Sequence, residues 1–303
     1  MQLVNPEVRI ENSSHCNARC KICPRETMTR PRMTMDTDTF FNLVDEAQDL
    51  GAKTISVFGY GEPLMDPELA QKVDYCTRMG LGTFITTNAS MLDPVRSQAL
   101  FDAGLKHIRF SVHGLCDEDY ENVHQGLSFQ DTMRNISRFM EMNSLRNGNG
   151  CQVSVSHIIT KRSQNIEDIK KAWLGVDFLE IWRPHNWAGG RAAYRMLHQT
   201  KKTCGRPENG PIQINADGKV MVCCFDYDGK LTVGDTNTHS LEAIIKGDAF
   251  NRIREKHRSG DLSGLVCESC DQLNEGDNPL LYSSRDPKRR TGMTSSMKFN
   301  INN

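Results

Sequence analysis

Short apolar or β-branched runs alternate, over roughly the first 190 residues, with longer segments whose apolar positions recur every three or four residues. Val8 to Ile10, Thr54 to Phe58, Thr83 to Thr87, His107 to Val112, Gln152 to Ile158 and Phe178 to Trp182 predict strands. Between them, Thr37 to Leu50, Asp66 to Met79, Pro94 to Ala103, Phe129 to Asn143 and Ile166 to Leu174 predict amphipathic helices. Asp36-Thr37-Asp38 before Phe40-Phe41 reads as a helix start, and Gly51, Gly80 and Gly104 sit at expected stops. This alternation predicts βαβ units and a parallel sheet, so an α/β fold. About six units fall short of the eight that close a barrel. A partial barrel and an open doubly wound sheet both fit.

The texture changes after Ala188-Gly189-Gly190, which marks a boundary at residue 190. Pro211 to Val222 predicts a hairpin turning at Asp217-Gly218. Leu241 to His257 predicts one helix. Residues 191–273 therefore form a small α+β domain of two strands and a helix, rich in cysteine. From 274 to 303 the chain is polar, basic and poor in apolar residues, and reads as a tail with little core of its own.

The chain has 303 residues and a formal net charge of -1, so no global basic field exists to hold a nucleic acid. No apolar run approaches the ~18–20 residues of a membrane span. The N-terminus has no basic stretch followed by an apolar one, so a cytoplasmic location is expected. In that reducing compartment the eleven cysteines point to metal rather than to disulfides.

Three of them, Cys16, Cys20 and Cys23, follow the first strand in a C-x3-C-x2-C pattern. Soft thiolates suit iron–sulfur clusters or zinc. Three ligands can hold three corners of a cubane and leave one iron open. The loop sits where ligands gather in parallel α/β folds, at the carboxyl end of a strand.

In this loop the chain resembles the radical S-adenosylmethionine (SAM) superfamily. Further matches follow in register. Gly59-Tyr60-Gly61-Glu62-Pro63 resembles the Gly-Gly-Glu motif, with Tyr60 in place of the second glycine. Thr86-Thr87-Asn88-Ala89 and Phe110-Ser111-Val112-His113-Gly114 resemble the segments after strands three and four. The resemblance implies a partial (β/α)6 barrel and a SAM-binding 4Fe–4S cluster on Cys16, Cys20 and Cys23. It also implies SAM contacts from Gly59, Gly61, Glu62, Asn88, Ser111 and His113. Ile22 replaces the aromatic residue often found before the third cysteine.

Cys204, Cys223, Cys267 and Cys270 form a second group, which on residues alone suits a closed cubane or a structural zinc equally. Cys224 adjoins Cys223 and is the alternative ligand; spacing favours Cys223. The group resembles the twitch domain, a shortened SPASM domain, which implies an auxiliary 4Fe–4S cluster. Within the family the arrangement resembles alcohol-oxidising enzymes of the 2-deoxy-scyllo-inosamine dehydrogenase type.

The resemblance implies a 5′-deoxyadenosyl radical that abstracts a substrate hydrogen, with an external reductase such as flavodoxin or ferredoxin supplying the electron. Only fifteen residues precede Cys16, so a small polar metabolite such as a sugar or cyclitol is the expected substrate, and dehydrogenation the expected outcome. Epimerisation and peptide or protein modification are the alternatives. A non-catalytic iron–sulfur or zinc electron-transfer module is the alternative of another class, against which the barrel argues. Tyr60, Arg183 and His185 are candidates for the substrate step, the last two in a segment joining the two domains.

Overall fold

The computed structural model describes residues 1–146, 148–191, 202–273 and 280–285. Its strands are β1 (Glu7–Ile10), β2 (Arg19–Cys20), β3 (Thr54–Val57), β4 (Gly82–Thr87), β5 (His107–Ser111), β6 (His124–Gln125), β7 (Gln152–Ile158), β8 (Phe178–Trp182), β9 (Ile212–Ile214), β10 (Lys219–Met221), β11 (Thr232–Asp235) and β12 (Leu280–Ser283). The helices are α1 (Thr37–Asp49), α2 (Leu69–Arg78), α3 (Pro94–Asp102), α4 (Asp117–Val123), α5 (Phe129–Ser144), α6 (Ile166–Ala172), α7 (Arg206–Asn209), α8 (Leu241–Lys246) and α9 (Asp248–Ser259).

Strands β1, β3, β4, β5, β7 and β8 lie side by side in chain order, and every neighbour pair is parallel. Sequential order without reversal is the winding of a barrel, not of a doubly wound sheet. Helix α1 starts at Asp36, whose carboxylate accepts from the Thr39 N–H at 3.0 Å. The strand face turned to the helices carries Val8, Ile10, Ile55, Val57, Ile85, Ile108, Phe110, Val155 and Ile181, all fully buried. The opposite face is half-open and polar. Arg9 pairs with Glu7 at 2.7 Å, and Arg109 lies 3.8 Å from Glu180 between the rings of Phe58 and Phe84. An incomplete barrel leaves this inner face without the side-chain layers that fill a closed one.

The second unit is not a separate sheet. Strand β9 pairs parallel with β1, and the β9–β10 hairpin turns at Asp217-Gly218 as expected, with Gly218 at φ +80°. A third strand, β11, adds antiparallel to β10. The expected single helix from Leu241 to His257 is two, α8 and α9, because Gly247 is extended at φ -68°, ψ 159°. The reading of everything beyond 273 as a coreless tail is corrected for residues 280–285. Strand β12 pairs antiparallel with β8 and buries Leu280. Residues 274–279 and 286–303 lie outside the described residues. Among the described residues no helix is long and apolar enough to cross a membrane.

Candidate metal and cofactor sites

The first cysteine loop leaves the carboxyl end of β1 and is clamped from several sides. Strand β2 pairs with β6, setting Cys20 opposite His124, whose Nδ1 lies 3.4 Å from the Cys20 sulfur. The Cys23 N–H donates to the Cys20 carbonyl at 3.0 Å, turning the chain tightly between two of the thiols. Burial pushes all three thiols up, Cys23 to about 11; Cys16 raises Cys20 and Cys23 further, and Cys23 raises Cys20. Cluster formation displaces such protons, because the ligand is the thiolate.

The Gly59–Glu62 turn packs directly on this loop. A Cβ on Gly61 would lie 2.1 Å from the Ser13 carbonyl oxygen, so only glycine permits the approach that lets the Glu62 N–H donate to the His15 carbonyl at 2.8 Å. Gly59 is held equally close to the Glu11 side chain. The Glu62 carboxylate accepts from the Leu64 N–H (3.1 Å), the Thr87 hydroxyl (2.6 Å) and the Asn88 N–H (2.8 Å). Asn88 in turn donates through Nδ2 to Asn17 of the cysteine loop at 3.0 Å. Three strand ends are thereby fixed around one loop.

Burial raises the Glu62 carboxyl from 4.5 to about 7, against the lowering effect of those hydrogen bonds. The folded protein holds a proton that the unfolded chain releases. The contribution to stability is therefore fully present below 4.5 and is lost as pH rises through about 7. The span corresponds to about 3 kcal/mol. Thermal unfolding of the cofactor-free protein should show this fall, and Glu62→Gln should flatten it; an unchanged slope in the variant refutes the assignment.

Ser111 ends β5 on the half-open face. His113 is committed elsewhere: its Nδ1 accepts from the Ile158 N–H at 3.1 Å, and its ring stacks on His124 at 4.7 Å. Tyr60 reaches toward the second cysteine group. Its hydroxyl donates to the Cys224 carbonyl at 2.5 Å, and its ring packs against Trp187. His185 is enclosed by Trp187 and Phe225, and burial lowers it to about 3. Arg183 is half-buried just after β8.

Cys204, Cys223, Cys267 and Cys270 all line one cavity, partly open to solvent, together with Arg206 and Phe225. Cys223 lines it and Cys224 does not. Burial pushes Cys267 and Cys270 up to about 12. Four soft sulfur donors around one cavity are a donor set that fits an iron–sulfur cluster.

The joining segment ties the two sites. The Trp187 indole donates to the Ile22 carbonyl at 2.7 Å, and Arg191 donates to the Cys23 carbonyl. Asn186 meets the other loop, donating from its N–H to Asp271 and from Nδ2 to the Ser269 carbonyl, each at 2.6 Å.

Glu11, unmarked in the sequence reading, is the hub. It accepts both arms of Arg30 (2.6 and 2.7 Å), the Tyr60 N–H (2.7 Å) and the Ala216 N–H (3.1 Å). Its one sequence signal is position: a carboxylate directly after an apolar strand and before the cysteines. Glu11→Ala leaves Arg30 buried and unpaired, so it should cost about 3–5 kcal/mol in urea unfolding. A loss below 1 kcal/mol contradicts the hub.

Comparison with known proteins places this geometry. The family model described as "Radical SAM superfamily" matches residues 11–172, and one described as "Iron-sulfur cluster-binding domain" (SPASM) matches 204–271. A probable GTP 3′,8-cyclase of Methanothermobacter marburgensis is 26% identical over 69% of this chain; the match spans 62% of that relative's length. The S-adenosyl-L-methionine-dependent 2-deoxy-scyllo-inosamine dehydrogenase of Niallia circulans is 20% identical over 88% of this chain and 92% of its own. Among solved structures, BtrN in complex with AdoMet and 2-DOIA superposes with a TM-score of 0.60 at 19% identity, covering 93% of this chain and 100% of that one. SuiB of Streptococcus suis bound to precursor peptide SuiA gives 0.66 at 15% identity, covering 89% and 70%. The chain belongs to the radical SAM superfamily and is an enzyme with a SAM-binding 4Fe–4S cluster and an auxiliary cluster in its SPASM part.

Proposed function

We propose that the enzyme dehydrogenates a small polar metabolite, a sugar or cyclitol alcohol, by removing a hydrogen atom from carbon and then a proton and an electron. Cys16, Cys20 and Cys23 hold the first cluster with one iron left for SAM, and Cys204, Cys223, Cys267 and Cys270 hold the second. When bound, the first cluster with SAM supplies a carbon-centred radical and the second supplies a one-electron acceptor.

The protein's own residues orient and shield. The Gly59–Glu62 turn and Ser111 border SAM at the carboxyl ends of β3 and β5. Asn88 and His113 act from behind, Asn88 by bracing the loop at Asn17 and His113 by packing on His124. The inner strand face, with Arg9, Glu7, Arg109 and Glu180, offers charged partners to hydroxyl and amino groups. A cytoplasmic, low-potential donor such as flavodoxin or ferredoxin supplies the initiating electron. Residues 1–190, 191–273 and 274–303 serve as barrel, auxiliary-cluster domain and tail, the last lending β12 to the barrel edge.

The observation carrying this reading is that one segment, 186–191, anchors both cysteine loops, which suits a reaction that uses both sites in one turnover. The near full-length match to the aminocyclitol dehydrogenase supports the substrate class. Peptide modification is the second reading, supported by the fold shared with peptide-bound SuiB. Anaerobically reconstituted, reduced enzyme incubated with SAM and a panel of aminocyclitols, sugars and peptides separates them. A product two hydrogens lighter from an alcohol is expected; turnover of peptides alone refutes the proposal.

A further inference from the structure

Arg206 opens α7, two residues after Cys204, and is 6% exposed. Its hydrogen bonds among the described residues run to sulfur: Nη1 donates to Cys224 at 2.7 Å and to Cys223 at 3.4 Å. Its guanidinium lies over the Phe225 ring at 4.5 Å, and no carboxylate among the described residues pairs with it. A buried guanidinium needs an anion, because burial strips its hydration. The other residues of its cavity include four cysteines. Neutral thiols are poor partners for a cation. A cluster on four thiolates is a good one, being net negative and more so once reduced.

We infer that Arg206 is the charge partner of the auxiliary cluster, donating to the Cys223 sulfur and raising the cluster's reduction potential, while Cys224 shares the guanidinium from outside the ligand set. The inference rests on the auxiliary-cluster assignment made above. The physics is directional. A fixed cation stabilises the extra negative charge of the reduced cluster more than the oxidised state, so the cluster becomes the stronger electron acceptor. Cys224 accepts from Arg206 at 2.7 Å and, unlike Cys223, does not line the cavity, which is why Cys223 is taken as the ligand. Arg206 is thus a positioning residue for electron transfer.

The test uses the full chain carrying Cys16→Ala, Cys20→Ala and Cys23→Ala, so that reconstitution loads only the auxiliary site, with the midpoint potential read by EPR-monitored redox titration. Adding Arg206→Gln should lower the potential so that, at a fixed solution potential, the reduced-to-oxidised ratio falls at least about tenfold, equivalent to about 59 mV for one electron. Arg206→Lys should restore more than half of that shift, which a merely structural role would not do. Cys224→Ser should keep full iron and sulfide, and Cys223→Ser should lose them. Equal potentials in all Arg206 variants overturn the inference while leaving the auxiliary cluster intact. Loss of iron in both Arg206 variants, or in Cys224→Ser, overturns it as well. Absence of iron and sulfide in the parent triple variant instead overturns the auxiliary-cluster assignment itself.

Discussion

Cys20→Ala should reduce 5′-deoxyadenosine formation to background. In the proposed ligand set three thiols hold the first cluster, so removing one leaves two ligands for a group that already lacks a fourth from the protein. Cys20 is the central member and has no substitute: the other described cysteines near it are Cys16 and Cys23, already ligands, and its place is set by the β2–β6 pairing. The fold should survive, because the change removes one half-buried sulfur from a loop held by Glu11, Glu62 and Trp187. A cost within about 1–2 kcal/mol is expected. Iron should fall from about eight to about four per chain, the remainder belonging to the second site. Chromatography of the nucleoside after reduction with SAM present reads the effect. Retained cleavage at near parental rate would mean that the cysteine loop does not carry the chemistry.

The second large effect belongs to Cys267→Ala, and it should divide what Cys20→Ala removes together. SAM cleavage should continue, because the first loop keeps all three thiols. Net oxidation should stop, because the substrate-derived electron has no acceptor. The expected record is 5′-deoxyadenosine formed without the two-hydrogen-poorer product. The two sites are mechanically joined through Asn186, Trp187 and Arg191, so a modest decrease in cleavage rate is expected too. Full product formation by Cys267→Ala would falsify the acceptor role of the second site.

Much of this was legible from local pattern. The ends of β7 and β8 coincide with the apolar runs Gln152 to Ile158 and Phe178 to Trp182, because alternation and β-branching act residue by residue. The cysteines announced themselves by spacing. What escaped depends on partners distant in the chain. Tyr60 stands in a motif, but its hydrogen bond to the Cys224 carbonyl, 164 residues away, exists only in the fold. Glu11 and Arg30 carry no motif; their pairing exists only once β1 and the loop after the cysteines meet. Strand β12 is four residues in a polar stretch and owes its existence to the free edge of β8. His113 matched a family segment by position, yet the stacked ring of His124 and the Ile158 N–H claim its side chain. Helix α8 ends where Gly247 turns extended, a break that the apolar periodicity from Leu241 onward runs across.

The most direct test of the proposed reaction follows one hydrogen. An alcohol that turns over in the substrate panel is prepared with deuterium at its carbinol carbon and incubated with reduced, reconstituted enzyme and SAM. The deuterium should appear in 5′-deoxyadenosine and the alcohol should become a carbonyl, with neither deuterium nor solvent hydrogen left on that carbon. Deuterium absent from 5′-deoxyadenosine, or a product that keeps its hydroxyl and carries a solvent hydrogen on the same carbon, would contradict it.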